Sequence, residues 1–165
     1  CQGFLRKRVP GFEEAAFAGL APRIGIRETR RIVGEHTLTG EDVLNAVKRD
    51  DGIAKGGHHV DIHGDGTDQA RRPIRDGGSY DIPLGCLLPK GLENVGIAGR
   101  CLSADREAHG SARVMGTCMA MGQAVGTAAA MVCENNVPSP VLGDVPIQAL
   151  RDRLVAQGAI LDGTH

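Results

Sequence analysis

The sequence predicts a mixed α/β fold in which short strands back one long helix. Three observations carry this. First, YDIPLGCLLP and NVGIAG are short apolar runs separated by a Pro-Lys-Gly turn region, the pattern of strands lying in a sheet. Second, MGTCMAMGQAVGTAAAMVCEN, from Met115 to Asn135, is apolar or small almost all the way round, with charge only at its far end. Such a helix is expected to be buried. Third, a shorter amphipathic pattern with Ile147, Leu150 and Leu154 on one side closes the chain.

Taken in order, Pro10 to Leu20 has an early proline, then Glu13 and Glu14 and an Ala-rich apolar set, which predicts a short helix ending near Gly19. From Arg23 to Gly34, RIGIRETRRIVG sets Ile24 and Ile26 in alternation and returns to Ile32 and Val33, which predicts a strand or two strand pieces. Thr39 precedes GEDVLNAV, and Asp42 stands three residues on. That is a capping-box spacing, and it predicts a helix from Gly40 to Lys48. Asp50 to Tyr80 is rich in Gly, Asp, Arg and His and reads as a long irregular excursion holding one alternating run, HVDIH, from His59 to His63. The second apolar strand ends at Gly99. In the long helix, Gly116, Gly122 and Gly126 each cost about 1 kcal/mol relative to Ala, so close approach of another backbone or a ligand is expected there. The last helix is expected to be capped by Asp144, with Pro146 in its first turn, and to stop at Gly158.

Composition bounds the function. The chain has 165 residues, 41% of them hydrophobic, enough for one domain with a core. A formal net charge of -1 offers no electrostatic case for nucleic acid or an anionic membrane as partner, and at 2% aromatics base stacking has few platforms. Five cysteines, with no C-x-x-C pair, argue against a zinc ribbon or a disulfide framework and favour a reducing, cytoplasmic setting. No signal peptide or run of about twenty apolar residues is evident. The start at Cys1, mid-pattern, is expected of a piece of a longer gene product or of a processed chain.

The segment NVGIAGRCLSADREAHGSARVMGTCMAMGQAVGTAAA, Asn94 to Ala130, places strand, tight turn, polar loop and Gly/Ala helix in direct succession. It resembles the C-terminal flavin segment of FAD-dependent oxidoreductases, and RETRRIVGEHTLTGEDV, Arg27 to Val43, resembles an upstream block of the same family. With DIPLGCLLPKGLENVGIAGR and LRDRLVAQGAIL, the similarity runs from about Gly25 to Leu161. The resemblance implies the C-terminal part of an FAD/NAD(P)-binding, Rossmann-like flavoprotein with part of its substrate domain. Residues 1–80 would then hold the substrate-domain part and the excursion, and residues 81–165 the C-terminal part of the FAD-binding domain.

It also implies site residues. The start of the long helix, Met115, Gly116, Thr117, Cys118 and Met119, would face the pyrimidine side of the isoalloxazine. Free amides and a positive dipole end there suit negative charge on reduced flavin. Gly99 and Arg100 would pass the ribityl and phosphate portion, with Ser103 and Asp105 beside them. Arg100 stands where many flavoproteins place Asp, so no carboxylate-to-ribityl contact is implied. HGSAR is similar to the His-Gly-x-x-Arg loop of fumarate reductase and succinate dehydrogenase relatives. By that likeness His109 and Arg113 are the candidates for substrate anchoring or proton handling. Arg27 and Arg30 are open to an anionic substrate or to solvent, and Cys118 to a lowered thiol pKa or to plain packing.

The family holds the FAD pyrophosphate on a strand, a G-x-G-x-x-G turn and a helix, and no such unit occurs in this sequence. Tight FAD binding is therefore expected only with an N-terminal FAD-binding portion, on the same or a partner chain, and the isolated chain is expected to be inactive. The activity implied is flavin-mediated hydride transfer with a small-molecule substrate. Two other readings stand beside it: a metal-binding module on His59, Asp61 and His63 with His58 and Asp65 close by, and a non-enzymatic interaction subunit.

Overall fold

The computed structural model describes residues 1–64, 69–134, 139 and 141–162. Helix α1 spans Gln2–Arg8, and none of its residues is buried. The helix expected over Pro10 to Leu20 does not form: that stretch is turns and irregular backbone, because its apolar residues find no surface to pack on and a short isolated helix is marginal in water. The strand expected over Arg23 to Gly34 is also absent. There the backbone makes single contacts, with Ile32 N–H donating to Cys101 O at 2.9 Å and one bridge between Gly34 and Pro89, and a strand needs a continuous partner.

Helix α2, Gly40–Leu44, is shorter than the expected span, but its capping box is present: Asp42 N–H donates to Thr39 Oγ1 at 3.2 Å, and Thr39 N–H donates to Asp42 Oδ2 at 2.8 Å. The excursion has more order than its composition suggests. Strand β1, Gly52–Gly56, is followed by β2, Val60–His63, and β3, Gln69–Arg72; β2 pairs antiparallel with β3, with Val60 opposite Arg72. Strand β4, Tyr80–Pro83, returns antiparallel to β1, with Gly56 opposite Tyr80. An added Cβ on Gly56 would overlap the Tyr80 ring, so glycine is required there. A 3₁₀ turn, Leu84–Leu87, follows β4, where a longer strand was expected.

No strand forms over Asn94 to Gly99. Only Ile97 N–H bonds across, to Leu87 O at 2.7 Å, and the described residues provide no neighbouring strand for it. Instead three extended passages lie side by side: His36 N–H reaches Gly85 O, Ser103 N–H reaches Cys86 O and Leu38 N–H reaches Ser103 O. These place Leu38, Leu87 and Leu102 in the core with Ile53, Ile82 and Val43.

Helix α3, Arg106–Ala112, occupies what reads in sequence as a polar loop, and α4 runs over Met115–Cys133. Contrary to expectation, α4 is buried on one face only. Met121, Ala124, Ala128 and Met131 enter the core, while Met115 is 73% exposed and Gly116, Gly122 and Gly126 have no atom within 4 Å of an added Cβ. Alanine and glycine leave a helix apolar without compelling its burial. By length and composition α4 also reaches the minimum for a membrane span, with a third of it buried against the core. After a 3₁₀ turn at Leu142–Asp144, helix α5, Ile147–Ala156, starts at Pro146 with no side-chain cap, so Asp144 lies outside its terminus. Leu150 and Leu154 are buried, Ile147 is half-buried, and Gly158 (φ +86°) ends the helical run.

Candidate functional site

The site is built where a tight turn meets the start of α4. Gly99 has φ +85°, a conformation glycine adopts without strain, and Leu102 N–H closes the turn on Gly99 O at 3.1 Å. An added Cβ on Gly99 would sit 3.8 Å from Cys118 Sγ, so the turn lies directly on the first turn of α4. At the N-cap, Val114 supplies no side-chain hydrogen bond, and the first amide bonded within the helix is that of Cys118, to Val114 O at 2.9 Å. The amides of Met115, Gly116 and Thr117 therefore have no intrahelical partner. Met115, Gly116 and Met119 are exposed and Thr117 is buried.

Arg100 has a buried Nε with no hydrogen-bond partner. Its carbonyl accepts from His109 Nε2 at 2.8 Å. Only a donor fits against a carbonyl, so the imidazole is the Nε2–H tautomer and its Nδ1, buried and unpartnered, is a bare acceptor. His109 is 1% exposed, and burial holds its pKa below the usual histidine value, against the opposing pull of the Arg100 carbonyl. Cys118 donates to Arg113 O at 3.3 Å, and burial pushes its thiol pKa up, more than Arg100 lowers it. Of the two readings open for Cys118, the geometry supports packing.

Two of the expected cofactor residues are committed to the scaffold. Asp105 caps α3 by accepting from Ala108 N–H at 2.8 Å with one oxygen, and with the other accepts from Gly40 N–H, the first residue of α2, also at 2.8 Å. Ser103 is buried and shares a 3.0 Å hydrogen bond with Thr37. Arg113, at the C-cap of α3, is also engaged: one guanidinium nitrogen pairs with Glu28 at 2.7 Å and another donates to Asp61 O at 2.9 Å. Ser111 joins the same framework. Its hydroxyl donates to His58 O and lies 2.8 Å from the Tyr80 hydroxyl of β4, so α3 holds the stretch through β2 at two carbonyls, those of His58 and Asp61. Arg27 and Arg30 are exposed. Sequence reasoning missed Glu28 and Thr37 as partners, although both lie in the upstream block RETRRIVGEHTLTGEDV.

The histidine-rich excursion forms no metal cage among the described residues. The His58 and His59 rings stack on each other with centroids 4.1 Å apart, and His63 turns to Asp61 at 3.3 Å. Asp65 lies outside the described residues.

The family model described as FAD dependent oxidoreductase matches residues 1–154. The chain belongs to the FAD-dependent oxidoreductase family. No curated protein and no solved structure gave a match. FAD is the cofactor of this family. The residues described above fit it: an unpartnered buried Arg100 Nε, uncapped amides at an accessible helix start, and a glycine turn against that helix together offer donors to an electron-rich group. Among residues 99–101 and 115–119 there is no carboxylate to oppose negative charge.

Proposed function

We propose that this chain supplies the flavin-contacting turn and helix of a Rossmann-like FAD-dependent oxidoreductase that performs hydride transfer on a small-molecule substrate. The observation that carries the reading is the junction of Gly99 and Arg100 with the uncapped start of α4, in a chain whose family uses FAD. A bound flavin would supply the hydride chemistry and, on reduction, the negative charge that these residues would meet. Each residue of this chain has a separate task. The uncapped amides of Met115, Gly116 and Thr117 and the dipole of α4 would hold the electron-rich edge of the flavin and favour its reduced form without reorganisation. Arg100 Nε, buried and without a partner among the described residues, would supply one further donor. His109 works from behind: neutral and buried, it fixes the Arg100 carbonyl and so the turn.

Arg113 is the residue through which an anionic substrate group would be held, in the manner of the fumarate reductase and succinate dehydrogenase loop. It meets such a group by exchanging Glu28, whose side chain is 45% exposed, for the substrate carboxylate. The dinucleotide's pyrophosphate is held elsewhere, by an N-terminal FAD-binding portion of the same or a partner chain, since no G-x-G-x-x-G unit occurs in these 165 residues.

The test is a pair of measurements. Isothermal titration of this chain with FAD is expected to give no tight stoichiometric binding. A protein extended upstream to include a dinucleotide-binding portion is expected to show a flavin spectrum that dithionite bleaches. Tight binding by the chain alone would sink the divided-site part of the reading. A colourless extended protein would sink the flavin reading itself.

A further inference from the structure

We infer that an acidic groove on this chain receives the basic segment of residues 1–31 from a second copy. The groove, a cavity of about 460 Å³, is lined by apolar Leu84, Leu88, Leu92 and Ile147 and by Glu35, Glu93 and Asp144. Its fourth carboxylate, Asp51, is already paired with Arg49 at 2.7 Å. The other three have no ion pair or side-chain hydrogen bond among the described residues, and no Lys or Arg is among the described residues that line the groove. Apolar lining beside three carboxylates that make no ion pair selects an occupant that is apolar and cationic together.

The same chain carries such a segment. Residues 1–31 hold seven Lys or Arg against three Glu, a net charge of +4; with the whole chain at -1, the remainder carries -5. Three of the cations, Arg6, Lys7 and Arg8, are consecutive in the last turn of α1, and Phe4 beside them is 65% exposed. All three phenylalanines of the chain, Phe4, Phe12 and Phe17, lie in this segment and all are exposed.

The fold leads a molecule's own segment off from its groove. Beside the groove, between its lining residues Pro89 and Gly91, Lys90 N–H donates to Val33 O; the chain before Val33 is then tied successively to Cys101 through Ile32, to the Ala104 carbonyl through the Arg31 guanidinium, and to Arg113 through Glu28. The segment is thus delivered on the α3 side, and the groove is left to another molecule. Such a contact is head-to-tail, so association either closes into a ring or extends with concentration.

Light scattering coupled to size exclusion tests this on the full chain, in low and high salt. All six charged residues to be changed are exposed, so their substitution does not threaten folding. At low salt the mass is expected to rise above the 17.3 kDa of one chain as concentration increases, and to fall back when salt shortens the screening length below about 10 Å. The variant E35Q/E93Q/D144N and the variant R6Q/K7Q/R8Q are each expected to associate at least about tenfold more weakly. The decisive arm mixes E35K/E93K/D144K with R6E/K7E/R8E: each alone stays monomeric and the mixture associates. A wild-type chain that stays monomeric throughout overturns the inference, with a segment peptide that still binds pointing to closure on its own groove. Association that ignores all six substitutions overturns it as well, by placing the interface elsewhere. Neither result bears on flavin binding, which is read by the spectrum.

Discussion

Replacing Arg113 with Ala separates a strut from a substrate anchor. In the structure its side chain is 8% exposed, with Glu28 at 2.7 Å and the Asp61 carbonyl at 2.9 Å. The Glu28 end is close to half exposed, so that pair is worth only about 0.5 kcal/mol after solvent screening. A hydrogen bond from a charged group to a shielded carbonyl is worth about 1.5 kcal/mol, and losing the packed stem adds about 0.5 kcal/mol. Arg113→Ala is thus expected to destabilise the chain by about 2–3 kcal/mol, which for a domain of this size lowers Tm by roughly 4–12 °C. Glu28→Gln, by contrast, is expected to cost less than about 0.5 kcal/mol. With no Trp and one Tyr, fluorescence is a poor probe, so urea unfolding is followed by far-UV circular dichroism. Hydrogen exchange at residues 60–63 locates the effect. If Arg113→Ala leaves stability within about 0.5 kcal/mol of wild type and exchange unchanged, the guanidinium is not holding β2, and its role lies with ligand alone.

Three other expectations follow from the geometry. His109 has a folded pKa lowered from 6.5, so just below that pH the unfolded chain binds more protons; stability therefore rises with pH through this window and is lost as pH falls through it. Urea midpoints between pH 5 and 7.5 test this: His109→Gln, which keeps a donor toward the Arg100 carbonyl, should flatten the slope, and a ring that titrates at or above 6.5 by NMR would contradict the burial argument. Gly56→Ala pushes a methyl into the buried Tyr80 ring, whose hydroxyl is held by Ser111, and is expected to cost about 2–3 kcal/mol by urea unfolding. Gly122→Ala and Gly126→Ala, with open space at each Cβ, should stabilise the isolated chain by about 0.5–1 kcal/mol each; if the exposed face of α4 is covered in the extended flavoprotein, the same changes should lower flavin retention there.

What the sequence disclosed about this fold divides by range. The α2 cap was legible because Thr39 and Asp42 satisfy each other across three residues, and α5 because Leu150 and Leu154 repeat at helical spacing. Strands are different: the Ile24 and Ile26 alternation is as good as that of β2, but only β2 has a partner, and pairing is not written in a strand's own residues. Helix α3 was concealed by polar residues, yet Asp105 followed by Glu107 was a readable start signal. For the site, the family blocks led to Gly99, Arg100 and the head of α4, which the fold does bring together. They gave no sign that Asp105 and Ser103 are spent on the scaffold, since their partners Gly40 and Thr37 stand more than sixty residues upstream.

The rung that joins Gly56 to Tyr80 has a consequence for how this framework can diversify. Everything between those residues leaves the β1–β4 ribbon and returns to it at one point, so its length can change with little added closure entropy and without moving the Gly99 turn or α4. The cost of such a change falls on the contacts that tie the excursion back: Ser111 and Arg113 grip the carbonyls of His58 and Asp61, Arg72 pairs with Glu107, and Val60 and Ile74 are buried in the core. Main-chain oxygens are present whatever the side chains. A replacement segment of different sequence would keep those two grips, provided it also supplies apolar side chains where Val60 and Ile74 enter the core.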